Sequence, residues 1–378
     1  MNLQDSSTSN FDRYARVSIY KSISMLGWIF VSLAIIDVLI GAVFAYPSDP
    51  KVVNPSPLRL YFDYGRSVEA KLSRMTRADP SQTAPITLAG WYDPLQVGEP
   101  PSTTTQKQTV TFYGMSHAMR LAAALGRTSD RFSPRTVGAP GATTNWSYGA
   151  YLRDRGGGKS RAVVLALMSV SLPMINSKSP MMYSIDLPMP YTSDRFYLDE
   201  DRLKVVHPPF TSFEQYVQLF DDPEKWSAAR LALSANDSLY SPFIFRASIF
   251  DHSALFRLIR RAYAQRFFRD QARNVIDASG FRESSEQIQV ARAIVRDFAK
   301  EARRDGMIPV IFLVNNFGYS DFLYEAIKPA LEADKIPYLS SHTVVSPSDP
   351  RGYLPDSHFT DVVDDKLARA LASIIESQ

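Results

Sequence analysis

The sequence contains no cysteine, which excludes thiol nucleophiles, disulfides and cysteine-held metals together. It is also short of net charge, with 42 Lys and Arg against 39 Asp and Glu, a balance of +3. A chain so nearly neutral lacks the electrostatic footprint of a nucleic-acid binder, and no nucleic-acid partner is expected. Of its five histidines, no two stand at metal-ligand spacing, so no metal is expected. One glycine-rich string, GGGKS at 156–160, lacks the P-loop spacing and precedes a strand pattern instead of a helix. It reads as a turn, and no cofactor is expected.

What the chain does have is enough apolar material, 45% of its residues, to fold as a globular protein. Its 378 residues suit an anchor plus one large domain with insertions. The run LGWIFVSLAIIDVLIGAVFA at 26–45 holds a single charge, Asp37. About 20 such residues cross a hydrocarbon core of about 30 Å, so 25–46 is expected to be a transmembrane anchor. Arg13, Arg16 and Lys21 precede it, which by the positive-inside rule keeps the tail 1–24 in the cytoplasm. The expected location is the inner (plasma) membrane, single-pass, with the C-terminal domain on the extracytoplasmic (periplasmic) side. Val43-Phe44-Ala45 also resembles a signal cleavage site, but the apolar run is longer than the usual h-region of about 7–15 residues. Asp37 costs about 2.5–3.5 kcal/mol inside a span and is a candidate contact for a partner membrane helix.

From 47 to 108 the chain turns proline-rich and polar, with one helix expected through PLRLYFDYGRSVEAKLSRMTR, and it reads as a collar or linker. From Thr109 onward short apolar runs alternate with helical patterns, the signature of a parallel sheet covered on both faces. The runs are TVTFYG, FSPRTVG, RAVVLALMS, MIPVIFLVNN and KIPYLSS. The third is apolar almost throughout, as a doubly buried strand should be. The fold expected for 109–378 is therefore a three-layer α/β/α domain with a mostly parallel five-stranded sheet, preceded by one transmembrane helix. A mainly helical insertion is expected at about 172–306. It holds a hairpin through DRFYLDEDRLKVVHPP and helices through TSFEQYVQLF, SALFRLIRRAYAQRFFRDQAR and SEQIQVARAIVRDFAKEARRDG. In the second of these helices Arg257, Arg260, Arg261, Arg266 and Arg269 stand opposite Phe256, Ile259, Tyr263 and Phe267. Such amphipathy is common, so the arginines read as a solvated face and not as a polyanion site.

Three residues far apart in the chain make an acyl-transfer constellation. Ser116 follows the first strand, and Asp356 and His358 lie near the end in LPDSHFTD. A serine hydroxyl becomes nucleophilic when an imidazole takes its proton, and a carboxylate fixes the tautomer and steadies the imidazolium. Alone, Ser116 reads equally well as an N-cap. It is the joint occurrence of the three, at both ends of an alternating α/β pattern, that favours chemistry. His117 is expected to point away along the helix. His207, His252 and His342 sit in unrelated contexts.

These motifs resemble the SGNH (GDSL-like) hydrolases, and the strings YFDYGRSVEAKL, SPFIFRASIFDHSALFRLIRRAY and AIVRDFAKEARRDGMIPVIFL resemble the membrane-associated members found with exopolysaccharide biosynthesis. The resemblance implies a flavodoxin-like sheet with Gly114-Met115-Ser116 as the nucleophile turn, where Met115 replaces the usual aspartate. It implies an oxyanion hole from the backbone of Ser116 and from Gly141, in Gly138-Ala139-Pro140-Gly141. Asp356-Ser357-His358 is the final block. The family's asparagine donor after the third strand is replaced by Ser171, with Asn176 and Asn145 as possible substitutes. The implied function is that of a membrane-anchored ester hydrolase, O-acyltransferase or deacetylase acting on acyl groups of an envelope polysaccharide. The alternative is a catalytically impaired member that binds or assembles such a polysaccharide.

Overall fold

The computed structural model describes residues 8–47, 54–76, 82–98, 107–155 and 159–378; within 8–20 only the backbone course is described. Helix α1 (Thr8–Val43) contains the 23-residue segment Lys21–Val43, long and apolar enough to cross a membrane. Two short helices follow, α2 (Pro57–Asp63) and α3 (Val68–Met75). One continuous helix is expected here. Instead it breaks before Ser67, whose hydroxyl caps the second piece by accepting the Ala70 N–H at 3.3 Å.

The sheet begins with β1 (Gln108–Gly114), α4 (Ser116–Thr128), β2 (Phe132–Gly138), α5 (Thr144–Asp154) and β3 (Ala162–Met168). The chain then leaves it for the hairpin β4 (Arg195–Asp199) and β5 (Arg202–Val206). Helices α6 (Phe213–Phe220), α7 (Pro223–Ser234), α8 (Pro242–Phe245) and α9 (Ala254–Arg273) follow, and then the small ribbon β6 (Ile276–Asp277) and β7 (Gly280–Phe281). It returns through α10 (Glu286–Arg304), β8 (Ile308–Val314), α11 (Phe322–Ala333), β9 (Tyr338–Ser340) and α12 (Asp361–Glu376). The five strands run in the order β2-β1-β3-β8-β9, and every pairing in this sheet is parallel. Helices α4 and α12 pack together on one face, while α5, α10 and α11 cover the other. This is the three-layer α/β/α class expected. Central strands β3 and β8, in register from Ala162↔Ile308 to Met168↔Val314, are apolar along their length because helices cover both faces.

The structure corrects two boundaries and adds one helix. Parallel neighbours need a crossover helix, and α10, packed on β8, α5 and α11, is that crossover, so it belongs to the α/β core and not to the insertion. The stretch 54–98, expected to form a collar, is in part packed into the body. Tyr92 stacks on Trp146 with ring centroids 5.6 Å apart, Trp91 lies 5.6 Å from Tyr216, and Val68 and Leu72 join the core. Proline-rich composition marks loops, but a few well-placed aromatics decide whether a loop is bound down. Helix α11 is an addition: Pro329 inside it obscures the helical pattern, since proline removes a donor and strains the preceding turn.

Candidate active site

In open α/β sheets ligands bind outside the carboxyl ends of the strands, where the strand order reverses. Here that point lies between β1 and β3, whose outgoing connections run in opposite directions across the sheet. Ser116, the first residue of α4, stands there. The N-cap position belongs to Met115, which makes no side-chain cap and is buried in the core. Ser116 therefore does not cap the helix. The turn is tight because a Cβ at Gly114 would come within 2.8 Å of the Ala166 Cβ and 3.0 Å of the Ala118 Cβ. Only glycine lets β1 and α4 approach so closely.

The structure brings Ser116, His358 and Asp356 together. Ser116 Oγ lies 2.6 Å from His358 Nε2, across 242 residues of sequence. On the far side of the ring, His358 Nδ1 lies 3.0 Å from Asp356 Oδ2. The one-residue spacer has a local logic. Asp356 Oδ1 accepts the backbone N–H of His358 at 3.2 Å, an Asx-type turn, and the imidazole folds back onto the other oxygen of the same carboxylate. Ser357 closes the turn in the left-handed region with φ 69, and its N–H bonds Leu354 O at 2.9 Å. The bond from His358 holds the Asp356 carboxyl below its ordinary range, although that side chain is 66% exposed. A neutral imidazole in this arrangement is placed to take the Ser116 proton at Nε2 while the carboxylate keeps the other proton on Nδ1.

Two further residues shape the site: His117, whose direction differs from expectation, and Arg120, which the sequence did not single out. His117 does not point away: its ring lies against that of His358, with centroids 4.7 Å apart and planes 30° apart. Burial, followed by the repulsion of His358, pushes His117 down to about 4, so it is neutral near pH 7. Its Nε2 lies 3.2 Å from the Ser357 carbonyl, an acceptor only, so this nitrogen carries the proton. The buried Nδ1 has no partner. Arg120, one turn along α4, holds the histidine loop in place. Its guanidinium donates to Phe359 O at 3.0 Å, Asp361 Oδ1 at 2.8 Å and Asp364 Oδ2 at 2.9 Å. The only signal for either residue was its place on the helix that follows the serine.

The expected oxyanion donors divide. The first N–H groups of a helix have no intrahelical acceptor, and Ser116 is the first residue of α4. Gly141 occupies the loop after β2 at φ 63, in a turn closed by Ala142 N–H to Ala139 O at 3.2 Å and held by the Tyr191 hydroxyl on Pro140 O at 2.9 Å. Ser171 departs from expectation. Its hydroxyl donates to Met168 O at 3.0 Å, closing its own turn. Asn145 is buried with its amide nitrogen committed to Ser177 O and Asp194 O, so it does not substitute. Asn316 stitches the same loop to β8 by accepting the Val170 N–H at 3.2 Å. Among the described residues no group of three His, Asp or Glu side chains could hold a metal.

No protein-family model and no curated protein sequence matches the chain. Among solved structures, it is similar to a G-D-S-L family protein assigned as lipolytic, from Desulfitobacterium hafniense, at 10% identity and a TM-score of 0.33, covering 71% of this chain and 99% of that one. It is also similar to an ABC sugar transporter subunit from Rhodobacter sphaeroides at 13% identity and a TM-score of 0.18, covering 72% of this chain and 93% of that one. At such TM-scores neither likeness bears on what this chain does.

Proposed function

We propose that the protein is an SGNH-type serine ester hydrolase or O-acyl-transfer enzyme, anchored in the membrane by α1 and acting outside the cytoplasm on acyl groups of an envelope polysaccharide. The observation that carries the chemistry is the continuous contact from Ser116 Oγ to His358 Nε2 at 2.6 Å and from His358 Nδ1 to Asp356 at 3.0 Å. In the proposed reaction Ser116 Oγ attacks the ester carbonyl carbon as its proton passes to His358 Nε2. Asp356 steadies the imidazolium, and the backbone N–H groups of Ser116 and Gly141 receive the oxyanion. Collapse breaks the ester bond, and the departing alkoxide takes the proton from His358. Water or a sugar hydroxyl then releases the acyl group from Ser116 by the same steps in reverse. The polysaccharide substrate rests on the sequence resemblance. The anchor rests on the length and apolarity of Lys21–Val43, and its orientation on the basic tail before it.

The commitment of the Ser171 hydroxyl to Met168 O favours a second reading, a slow or impaired enzyme kept for binding. Loss of one oxyanion donor costs about 2.7–4 kcal/mol, roughly a hundred- to a thousandfold in rate. Hydrolysis of p-nitrophenyl acetate by the full chain in detergent separates the two. Activity that disappears in Ser116→Ala and His358→Ala supports the enzyme, and equal rates in all three proteins remove it.

A further inference from the structure

Helices α9 and α10, 20 and 19 residues long, bury opposite kinds of face. Helix α10 follows the globular rule, with Ile294, Val295 and Phe298 fully buried. Helix α9 departs from it in its first half. Arg257 and Arg260, expected in solvent, are 4% and 1% exposed and pair with Asp63 at 3.4 Å and Asp251 at 2.5 Å. The middle of its apolar stripe faces outward, with Ile259 60% and Tyr263 44% exposed, while Phe267 is half-buried against the core and Arg266 and Arg269 stay in solvent as expected. The stripe continues beyond the helix through ring contacts: Tyr263 on Phe243 at 5.1 Å, Phe243 on Phe256 at 5.7 Å and Phe256 on Phe250 at 4.3 Å. Beside Phe250, Ile249 is 80% exposed. A contiguous apolar surface of this kind marks an interaction site.

What covers it follows from its neighbour. Asp37, expected to seek a partner membrane helix, finds its acceptor role within the chain: its Oδ1 receives the backbone N–H of Leu255, in the first turn of α9, at 2.7 Å. A carboxylate there also complements the positive end of the α9 dipole. The apolar segment ends at Val43, so Asp37 lies about 9 Å inside that end at 1.5 Å rise per residue. The start of α9 is thereby fixed at that same level, and interfacial helices bury their apolar faces about 5–10 Å into the headgroup and acyl boundary. Stacking of Phe44 on Phe62 at 5.1 Å ties α2 to the end of α1 as well, so the body is held against the span and does not hang from a stalk.

We infer that the outward face of α9, with Phe243, Ile249 and Phe250, is a lipid-docking surface that seats the domain in one leaflet of the bilayer beside α1. The inference rests on the reading of α1 as a membrane span. The absence of native cysteine makes it directly testable. Single-cysteine variants of the full chain, Ile249→Cys, Ile259→Cys, Leu33→Cys in the span and Val362→Cys as an exposed reference on α12, are spin-labelled in vesicles of phosphatidylethanolamine and phosphatidylglycerol. Collision rates with oxygen, which partitions into lipid, and with a water-soluble nickel chelate are then compared. The expected result is that positions 249, 259 and 33 favour oxygen while 362 favours nickel. If 33 favours oxygen but 249 and 259 favour nickel, the docking surface is overturned and the anchor stands. If 249 and 259 are shielded from both reagents, a protein or a second copy covers the face, and lipid docking is overturned. If 33 favours nickel, the anchor fails and docking falls with it.

Discussion

Two polar constellations in this protein set aspartates to opposite ends. At the sheet edge Ser116, His358 and Asp356 are partly open, and Asp356 is mostly exposed. Beneath α9, Asp63, Asp251, Arg257 and Arg260 are almost wholly buried, and their hydrogen-bonding groups are taken up by one another and by Ser67, Ser248, Gly65 and Phe243. Burial tends to raise both carboxyls. Arg74 and Arg66 nevertheless hold Asp63 low, and the N–H groups of Ser67 and Ser248 do the same for Asp251. A saturated buried network orders the chain, whereas a network with one face open to a substrate can do chemistry. The difference lies in exposure together with residue type, since an imidazole can take up a proton and a guanidinium cannot give one up.

The sharpest way to break that contrast is to remove one member from each side. Ser116→Ala should lower esterase turnover by at least about a thousandfold while leaving the thermal midpoint unchanged, as read by parallel kinetics and unfolding. Arg260→Ala should do the reverse. Stranding Asp251 in the interior costs about 3–5 kcal/mol, visible in chemical unfolding of the detergent-solubilised chain, with activity per folded molecule retained. Unchanged stability would show that the network beneath α9 is not the brace described here.

Smaller effects sharpen the comparison. Because Asp356 is exposed and water can replace part of its role, Asp356→Asn should cost on the order of a hundredfold in kcat, less than the roughly ten-thousandfold seen when a buried triad carboxylate is lost. A rate equal to that of Ser116→Ala would contradict this. Smallest, and visible only in acid, is the contribution of His117. The unfolded imidazole binds a proton near 6.5 and the folded one only near 4, so stability falls as pH drops through that window. The low-lying Asp63 and Asp251 contribute stability that is present above 3.8 and is lost only at lower pH. His117→Phe should abolish the upper step and spare the lower one in a pH series of melting curves.

Legibility followed the range of the interactions involved. The five strand runs and the extents of α9 and α10 were readable because periodicity and buried apolar runs are local. The Asp-Ser-His string was readable as a unit because Asp356 engages both the backbone and the ring of a residue two positions on. Ser171 was found as a position, yet the direction of its hydroxyl was set by a turn carbonyl. His117 was misread because its ring orientation depends on a loop 240 residues away. The tight packing of 54–98 was hidden because its aromatic partners, Trp146 and Tyr216, lie far along the chain.

By itself the sequence determined the α/β alternation, the apolar N-terminal segment and which side chains could serve an acyl transfer, since composition and short-range pattern settle those matters. Only the tertiary structure decided that Ser116 meets His358, that Asp37 serves its own chain, and which face of α9 turns outward. Periodicity marks a helix as two-faced, but which face is inside depends on whether remote carboxylates arrive to neutralise its arginines.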